Sequence, residues 1–374
     1  MHLQINPGFR IVPHSEDHMQ IGIAPDEYYL VSTPTHAHEK VLEELRSGID
    51  FQDLCELVEQ LGMSLDALKT LLAECEQVLL RTPYIPLQPE AVFPAERFWQ
   101  AANKTDRSTL SKLRAESSVF IHGLHYSGTL TALTLGEAGI RKIFLCDEHH
   151  VQTADISYGL YGAEHRGLRR SSALKYILEQ RFPHIRCFTK NDFYENMMCD
   201  LALDFRKYSY PQDFALRMMH QSIPQLYIQH QERTASIGPL VIPGESSCVN
   251  CYSLAKEDSI PGWRDLQEQL NVRNKELERL TNFFSYEEKS TAITVAGLAS
   301  IHALLFLDGF SLPSSINSIL TVDTERGEVL AQDLDVHDNC YCSSASLMQE
   351  SNSVEKALSA CEETVVHAAN SALV

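Results

Sequence analysis

What this chain lacks narrows its possibilities first. Nowhere do about 18 apolar residues run consecutively, so no segment reads as a membrane-spanning helix. No Lys/Arg-rich run offsets a formal net charge of −19, a balance that would repel a phosphate backbone and argues against nucleic acid as a partner. The start, Met1-His2-Leu3-Gln4-Ile5-Asn6, has no basic flank leading into an apolar core. No secretory signal is therefore expected, and the expected location is the cytoplasm. There is no internal repeat and no low-complexity tract. With 44% hydrophobic and 22% charged residues, wholesale disorder is excluded, and 374 residues suit two domains and a tail.

The pattern changes along the chain. Residues 1–82 open with two short extended runs, His18 to Ile23 and Tyr28 to Ser32, around the turn-forming Pro25-Asp26. Three amphipathic helical patterns follow, beginning near His36, Phe51 and Ser64, with Ser64 and Asp66 forming a helix-start signal. The size and pattern suit a small winged-helix-like domain. Pro83, Pro86, Pro89 and Pro94 mark residues 83–107 as a semi-rigid linker.

From 108 to 345 apolar runs alternate with helical stretches: Val119-Phe120-Ile121, Ile143-Phe144-Leu145, Ile185 to Phe188, and Leu201-Ala202-Leu203. Strands apolar on both faces and separated by helices indicate an α/β domain, a doubly wound and mostly parallel sheet. Residues 346–374 read as a C-terminal helix or tail.

Two constellations carry chemistry. The first is the run Val119 to Gly128, a strand passing into a turn with Gly123 and Gly128, followed by a helix from Thr129 to Ala138 that stops at Gly139. Nineteen residues beyond Gly128, after the next strand, stands Asp147. Glycines that admit phosphate to backbone amides at a helix N-terminus, with an acid to take a ribose hydroxyl, make a nucleotide site. His125 holds the place where a dinucleotide fingerprint has its middle glycine, and its side chain obstructs the phosphate. A strand–turn–helix that binds nothing is the competing reading. His122, His125, His149 and His150 crowd the same mouth, either as substitute cations or metal ligands or as solvated loop residues.

The second is Cys248-x-x-Cys251 with Cys340-x-Cys342. Two thiolate pairs on tight turns suit a tetrahedral structural Zn2+ with no open position for water. Two unrelated reduced pairs, or a redox dithiol, are the alternatives. Cys55, Cys75, Cys146, Cys187 and Cys199 lie singly in apolar runs and are expected to be buried hydrophobes. The acids Asp333, Asp335 and Asp338 read as a solvated face.

With the glycine turn, Asp147 and the cysteine pairs in this order, the chain resembles the E1-like ThiF/MoeB superfamily over about 230 residues. Gly238 to Gly244 looks like the family's strand pair before its first CxxC, and Ala296 to Leu305 like its small-residue helix between the pairs. Pro243-Gly244, Pro261-x-Trp263 and the cysteines look like the ThiF-like proteins associated with ribosomally made, modified peptides. The resemblance implies a Rossmann-like E1 fold that binds ATP and Mg2+ and adenylates a carboxylate of a peptide or small ubiquitin-like or sulfur-carrier protein. It further implies a homodimer and a leader-peptide-binding N-terminal element.

Carried over residue by residue, Gly123, His125, Gly128, Asp147 and Arg170 would hold the nucleotide, and Arg170 and Asp204 would serve catalysis. The departures are Tyr158 where the family has an arginine, Arg170 where it has a lysine, and Lys207 near its magnesium-associated aspartate, with Asp204 three residues earlier. Arg166, Arg169 and Arg170 lie where a helix opens and would either face the triphosphate or form a basic solvated helix end, and residues 263–288 lie where relatives have a crossover loop, expected here as disorder or a helix. The same departures suit a non-catalytic adaptor that captures a leader peptide and presents it to a partner modifying enzyme. An NAD-dependent oxidoreductase fits the glycine turn and Asp147 but finds no hydride-transfer site downstream.

Overall fold

The computed structural model describes residues 1–25, 27–82, 98–100, 102–189, 198–205, 212–231, 233–281 and 287–343. The proline-containing stretch of the expected linker, the tail from 346 and Lys207 lie outside these residues. The chain forms two compact units that meet in sequence between Arg114 and Ala115.

In the first unit the anticipated hairpin is present as β3 (His18–Ala24) and β4 (Glu27–Ser32), extended to three antiparallel strands by β2 (Ile11–Ser15). The three helices are α1 (His36–Ser47), α2 (Phe51–Gln60) and α3 (Leu65–Glu74). Ser64 caps α3 by accepting the Ala67 N–H at 3.2 Å, which satisfies one of the orphan donors at the helix start. A second antiparallel sheet joins β1 (His2–Ile5), β5 (Ile49–Asp50) and β6 (Leu79–Thr82), with Ile5 opposite Leu79. Leu3, Ile5, Val41, Leu45, Leu54 and Leu71 close the core between these elements. Beyond the prolines, the chain is packed where a linker was expected: Trp99 is buried under the Arg114 guanidinium, 4.8 Å from its ring, and the Gln100 carbonyl accepts from Asn6 at 2.7 Å.

The second unit is built on an eight-stranded sheet. Its strands are β7 (Ser118–His122), β8 (Lys142–Cys146), β9 (Arg186–Thr189), β10 (Leu201–Asp204), β11 (Gln225–His230), β12 (Thr234–Val241), β13 (Ser318–Asp323) and β14 (Glu328–Asp333). The order β9-β8-β7-β10-β11 is parallel throughout, and β12, β13 and β14 add antiparallel strands beyond β11. All four apolar runs read from the sequence are parallel strands here. The stretch from Gly238 differs from expectation: it is the end of one long strand, β12, and not a strand pair.

After β7 comes α5 (Tyr126–Glu137), and after β8 come the short α6 (Thr153–Ser157) and α7 (Arg170–Arg181). The helix α4 (Arg107–Glu116) precedes β7. The helices α8 (Gln212–His220) and α9 (Val249–Ser259) join the four cysteines and Phe120 in one apolar cluster. The chain continues as α10 (Trp263–Thr281), so a helix fills most of the expected crossover segment. Next comes α11 (Lys289–Asp308), which packs against α5, β11 and β12. By length and composition α11 is apolar enough to cross a membrane, yet about half of it is buried inside the unit. Its small residues Ala292, Ala296, Ala299 and Ala303 are buried, which lets the helix approach its neighbours closely.

Candidate functional site

The first strand of the parallel set, β7, has β8 on one side and β10 on the other, so the chain winds in opposite directions from its C-terminal end. A crevice at such a switch point is where open α/β sheets bind ligands. Three of the candidate residues arrive there by construction: Gly123 just after β7, Asp147 just after β8, and Asp204 at the end of β10.

The two glycines are required by close approach. Gly123 has φ +87°, a region in which a side chain is strained, and a Cβ on it would meet the Phe205 carbonyl carbon at 3.1 Å. A Cβ on Gly128 would stand 2.1 Å from the Gly123 carbonyl oxygen, so only glycine lets α5 rise this near the turn. The helix begins at Tyr126, three residues before the expected start, with His125 as its N-cap.

Asp147 is 2% exposed at its side chain and takes four donors. The Leu124 N–H donates to Oδ2 at 2.8 Å, the His149 N–H and ring Nδ1 approach Oδ1 at 2.8 Å each, and Arg170 reaches Oδ2 at 3.5 Å. Burial pushes the carboxyl pKa up, but the hydrogen bond from His149 and the charge on Arg170 outweigh it and hold the group well below the usual carboxylate range.

Arg170 opens α7 and is among the largest fully buried side chains. Its Nε and one terminal nitrogen grip Asp155 at 3.0 and 3.1 Å, and the other terminal nitrogen lies 3.0 Å from His125 Nδ1. All three guanidinium nitrogens are thus engaged inside the protein. Asp155 in turn caps α6 by accepting the Gln152 N–H. Arg166 and Arg169 are exposed, in contrast to Arg170. Asp204 is likewise 2% exposed, and His122 Nδ1 sits 3.1 Å from its Oδ1, on the residue paired with it across the sheet. His122 and His149 therefore each sit on a carboxylate, and His125 on Arg170.

Sequence reasoning missed the group at the start of α5. Glu287, 2% exposed at its side chain, accepts the Ser127 N–H at 2.8 Å through one oxygen and the Ser127 hydroxyl at 3.0 Å through the other. His230 Nε2 is 3.2 Å from the same hydroxyl and 3.6 Å from the carboxylate. The Tyr158 hydroxyl donates to the Glu287 carbonyl at 2.5 Å, its ring centroid lies 4.7 Å from that of Tyr126, and Lys289 donates to the Tyr158 carbonyl at 3.3 Å. A carboxylate on the free amides of a helix N-terminus is favourable because dipole and donors both point at it. The neighbour Glu288 caps α11 itself, accepting the N–H groups of Ser290 and Thr291. The only sequence signal was the acidic pair Glu287-Glu288 ahead of a helical run, which marks one helix start but cannot reveal that Glu287 serves another, 160 residues away.

Cys248, Cys251, Cys340 and Cys342 come together in the apolar cluster that holds Phe120 and Phe214, all four buried and without a disulfide. Neighbouring sulfurs stand 3.3 to 3.8 Å apart. A tetrahedral ion with Zn–S bonds of about 2.3 Å places its sulfurs about 3.8 Å apart, so the cluster suits zinc with little adjustment. Asn250 Nδ2 donates to Cys340 Sγ at 3.1 Å and the His337 N–H to Cys251 Sγ at 3.4 Å, the latter contact helping to hold the Cys251 thiol below its ordinary value. The His337 ring turns instead to Asp258, at 2.9 Å. Among the lone cysteines, Cys75, Cys187 and Cys199 are buried, with burial pushing each thiol up to about 12, whereas Cys55 and Cys146 are only half-buried.

No protein-family model and no curated protein matches the chain. Solved structures do. The microcin C7 biosynthetic enzyme MccB in complex with N-formylated MccA superposes with a TM-score of 0.69 at 13% identity, over 91% of this chain and 99% of that one. The chain has the MccB fold. MccB from E. coli with ATP gives a TM-score of 0.67 at 13% identity over the same shares, and PaaA gives 0.63 at 15% identity over 87% of this chain and 98% of that one. At the level of fold, the likeness bears out the resemblance to the E1-like ThiF/MoeB superfamily read from the sequence.

Proposed function

We propose that this protein is an E1-like enzyme that binds ATP and adenylates a carboxylate on a peptide substrate. In that reaction a carboxylate oxygen attacks the α-phosphorus, pyrophosphate leaves, and the acyl group is carried on AMP. The observation that carries the reading is the arrival of Gly123, Asp147 and Asp204 together at the switch point of a fold shared with MccB, which has been crystallised with ATP and with MccA. Gly123 and Gly128 with the first turn of α5 would cradle phosphate, Asp147 would orient the ribose side, and Asp204 would attend Mg2+. Arg170, buried on Asp155, would act by holding His125 and Asp147 in place. Catalysis in such a site is positioning and charge neutralisation, so among the described residues Lys289, an exposed cation beside Tyr126 and Tyr158, would approach phosphate.

The four cysteines would hold a structural Zn2+, which would tie α9 to the segment after β14 and contribute folding free energy. The first unit would act as a winged-helix-like element that captures the leader of the peptide, and the protein would work as a cytoplasmic homodimer. The alternative substrate of the same class is a small ubiquitin-like or sulfur-carrier protein. Incubating the pure protein with ATP and radiolabelled pyrophosphate, across a panel of peptides and carrier proteins, tests the reading. No exchange with any of them, together with no ATP binding by calorimetry, sinks it.

A second reading rests on one observation, the Glu287 carboxylate on the α5 amide that phosphate would need. It is a non-catalytic adaptor that binds a leader peptide and presents it to a partner modifying enzyme. Tight peptide binding that is indifferent to nucleotide, and absent from every exchange assay, would distinguish it.

A further inference from the structure

We infer that Glu287 is an internal competitor for the phosphate seat, so that ATP binds only as this carboxylate leaves the first turn of α5. The inference rests on the nucleotide reading above. Three observations meet at one point. The glycine turn lets the first turn of α5 come close, since a Cβ on Gly128 would stand 2.1 Å from the Gly123 carbonyl oxygen, while Gly123 itself takes φ +87° against Phe205. The amide it exposes, Ser127 N–H, is filled by a side-chain anion, with the Ser127 hydroxyl on the second oxygen of the same carboxylate. That anion is drawn from a residue 160 positions away and is buried to 2% exposure with His230 at 3.6 Å.

Burying a carboxylate is costly unless donors replace its water, and here the replacement donors are those a phosphate oxygen would use. One carboxylate and one phosphate oxygen cannot share them. Nucleotide binding is therefore coupled to the position of Glu287, and through it to Tyr158, whose hydroxyl holds the Glu287 carbonyl, and to the start of α11. If the seat is filled for most of the time, the apparent affinity for ATP is reduced by the fraction of molecules in which it is open.

The test is calorimetric titration of ATP, and of adenosine in parallel, into the full chain and into Glu287→Ala and Glu287→Gln. The glutamine keeps the volume and a carbonyl acceptor, so it holds the fold if alanine does not, and circular dichroism with urea unfolding reports which variants are folded. The expected result is a Kd for ATP lowered by about tenfold or more in E287A and by a smaller factor in E287Q, with adenosine unchanged. ATP binding by a variant where the natural chain shows none counts the same way. ATP affinity within about twofold of the natural chain in the folded variants overturns the inference and leaves the nucleotide reading standing. An equal gain for adenosine also overturns it, because the effect would then be loosening and not competition for phosphate. Failure of every folded protein to bind ATP removes the nucleotide reading, and the inference with it.

Discussion

Replacing Arg170 with methionine tests whether the buried ion cluster holds the crevice together. The methionine fills comparable apolar volume, so the loss is of charge and donors. Arg170 is 2% exposed, grips Asp155 with two nitrogens at 3.0 to 3.1 Å, and meets His125 at 3.0 Å and Asp147 at 3.5 Å. Without it, Asp155 keeps only the Gln152 N–H among these donors, and a buried carboxylate stripped of its cation costs about 3–5 kcal/mol. R170M should therefore lower the stability of the second unit by that amount, read from urea unfolding at neutral pH. Adding Asp155→Asn removes the orphaned charge while keeping an acceptor for Gln152, and should return at least about 1.5 kcal/mol. The acid limb supplies an independent check. The Asp147 carboxyl is held below its ordinary value, so its contribution is complete above about pH 4 and is lost as pH falls through the lower folded pKa. Because Arg170 is part of what holds it low, the natural chain should lose more stability than R170M on acidification below about pH 4. A cost under about 1 kcal/mol for R170M, or no recovery on adding D155N, would refute the argument that this pair is a buried ionic unit.

Other perturbations separate the local contributions. Purified protein should contain about one zinc per chain by elemental analysis, and Cys248→Ser or Cys340→Ser should abolish that metal and lower the melting temperature, while Cys55→Ser should change neither. Gly128→Ala should destabilise by about 1–3 kcal/mol or more because its methyl would collide with the Gly123 carbonyl, whereas Gly62→Ala, with open space around its Cβ and only its positive φ against it, should cost about 1–2 kcal/mol. Both are measurable by urea denaturation. Ser64→Ala removes the α3 cap and should cost about 1 kcal/mol, seen in unfolding of the first unit alone.

The local signals in the sequence were strong where neighbouring residues decide the structure. Apolar runs at Val119, Ile143, Ile185 and Leu201 became adjacent parallel strands, because residues apolar on both faces can only lie inside a covered sheet. The cysteine spacing foretold a cluster because each pair is set by its own turn. Ser64 caps α3, Gly123 and Gly128 sit where a Cβ would crowd the backbone, and Asp147 follows β8. The short strands β1 and β6 escaped notice, since their pairing joins Ile5 to Leu79 and neither strand has enough alternating residues to declare itself.

What the sequence determined by itself is the class of scaffold and the chemistry available: glycines at a strand–turn–helix, an acid beyond the next strand, and four thiols in two pairs. Only the tertiary structure decided how the charged groups are spent. Arg170 reads as a free cation at a helix start, but folding turns it inward onto Asp155, because an uncompensated buried carboxylate at the start of α6 would be costlier than a buried pair. Glu287 reads as part of a polar helix approach, but folding brings it to the amide of Ser127, because a helix N-terminus inside the protein must have its donors satisfied by something. Spacing along the chain governs which residues can share a turn. Which distant charges meet is settled only when strands far apart in sequence, such as β7 and β10 with Val119 opposite Leu201, are laid side by side and water is removed from between them.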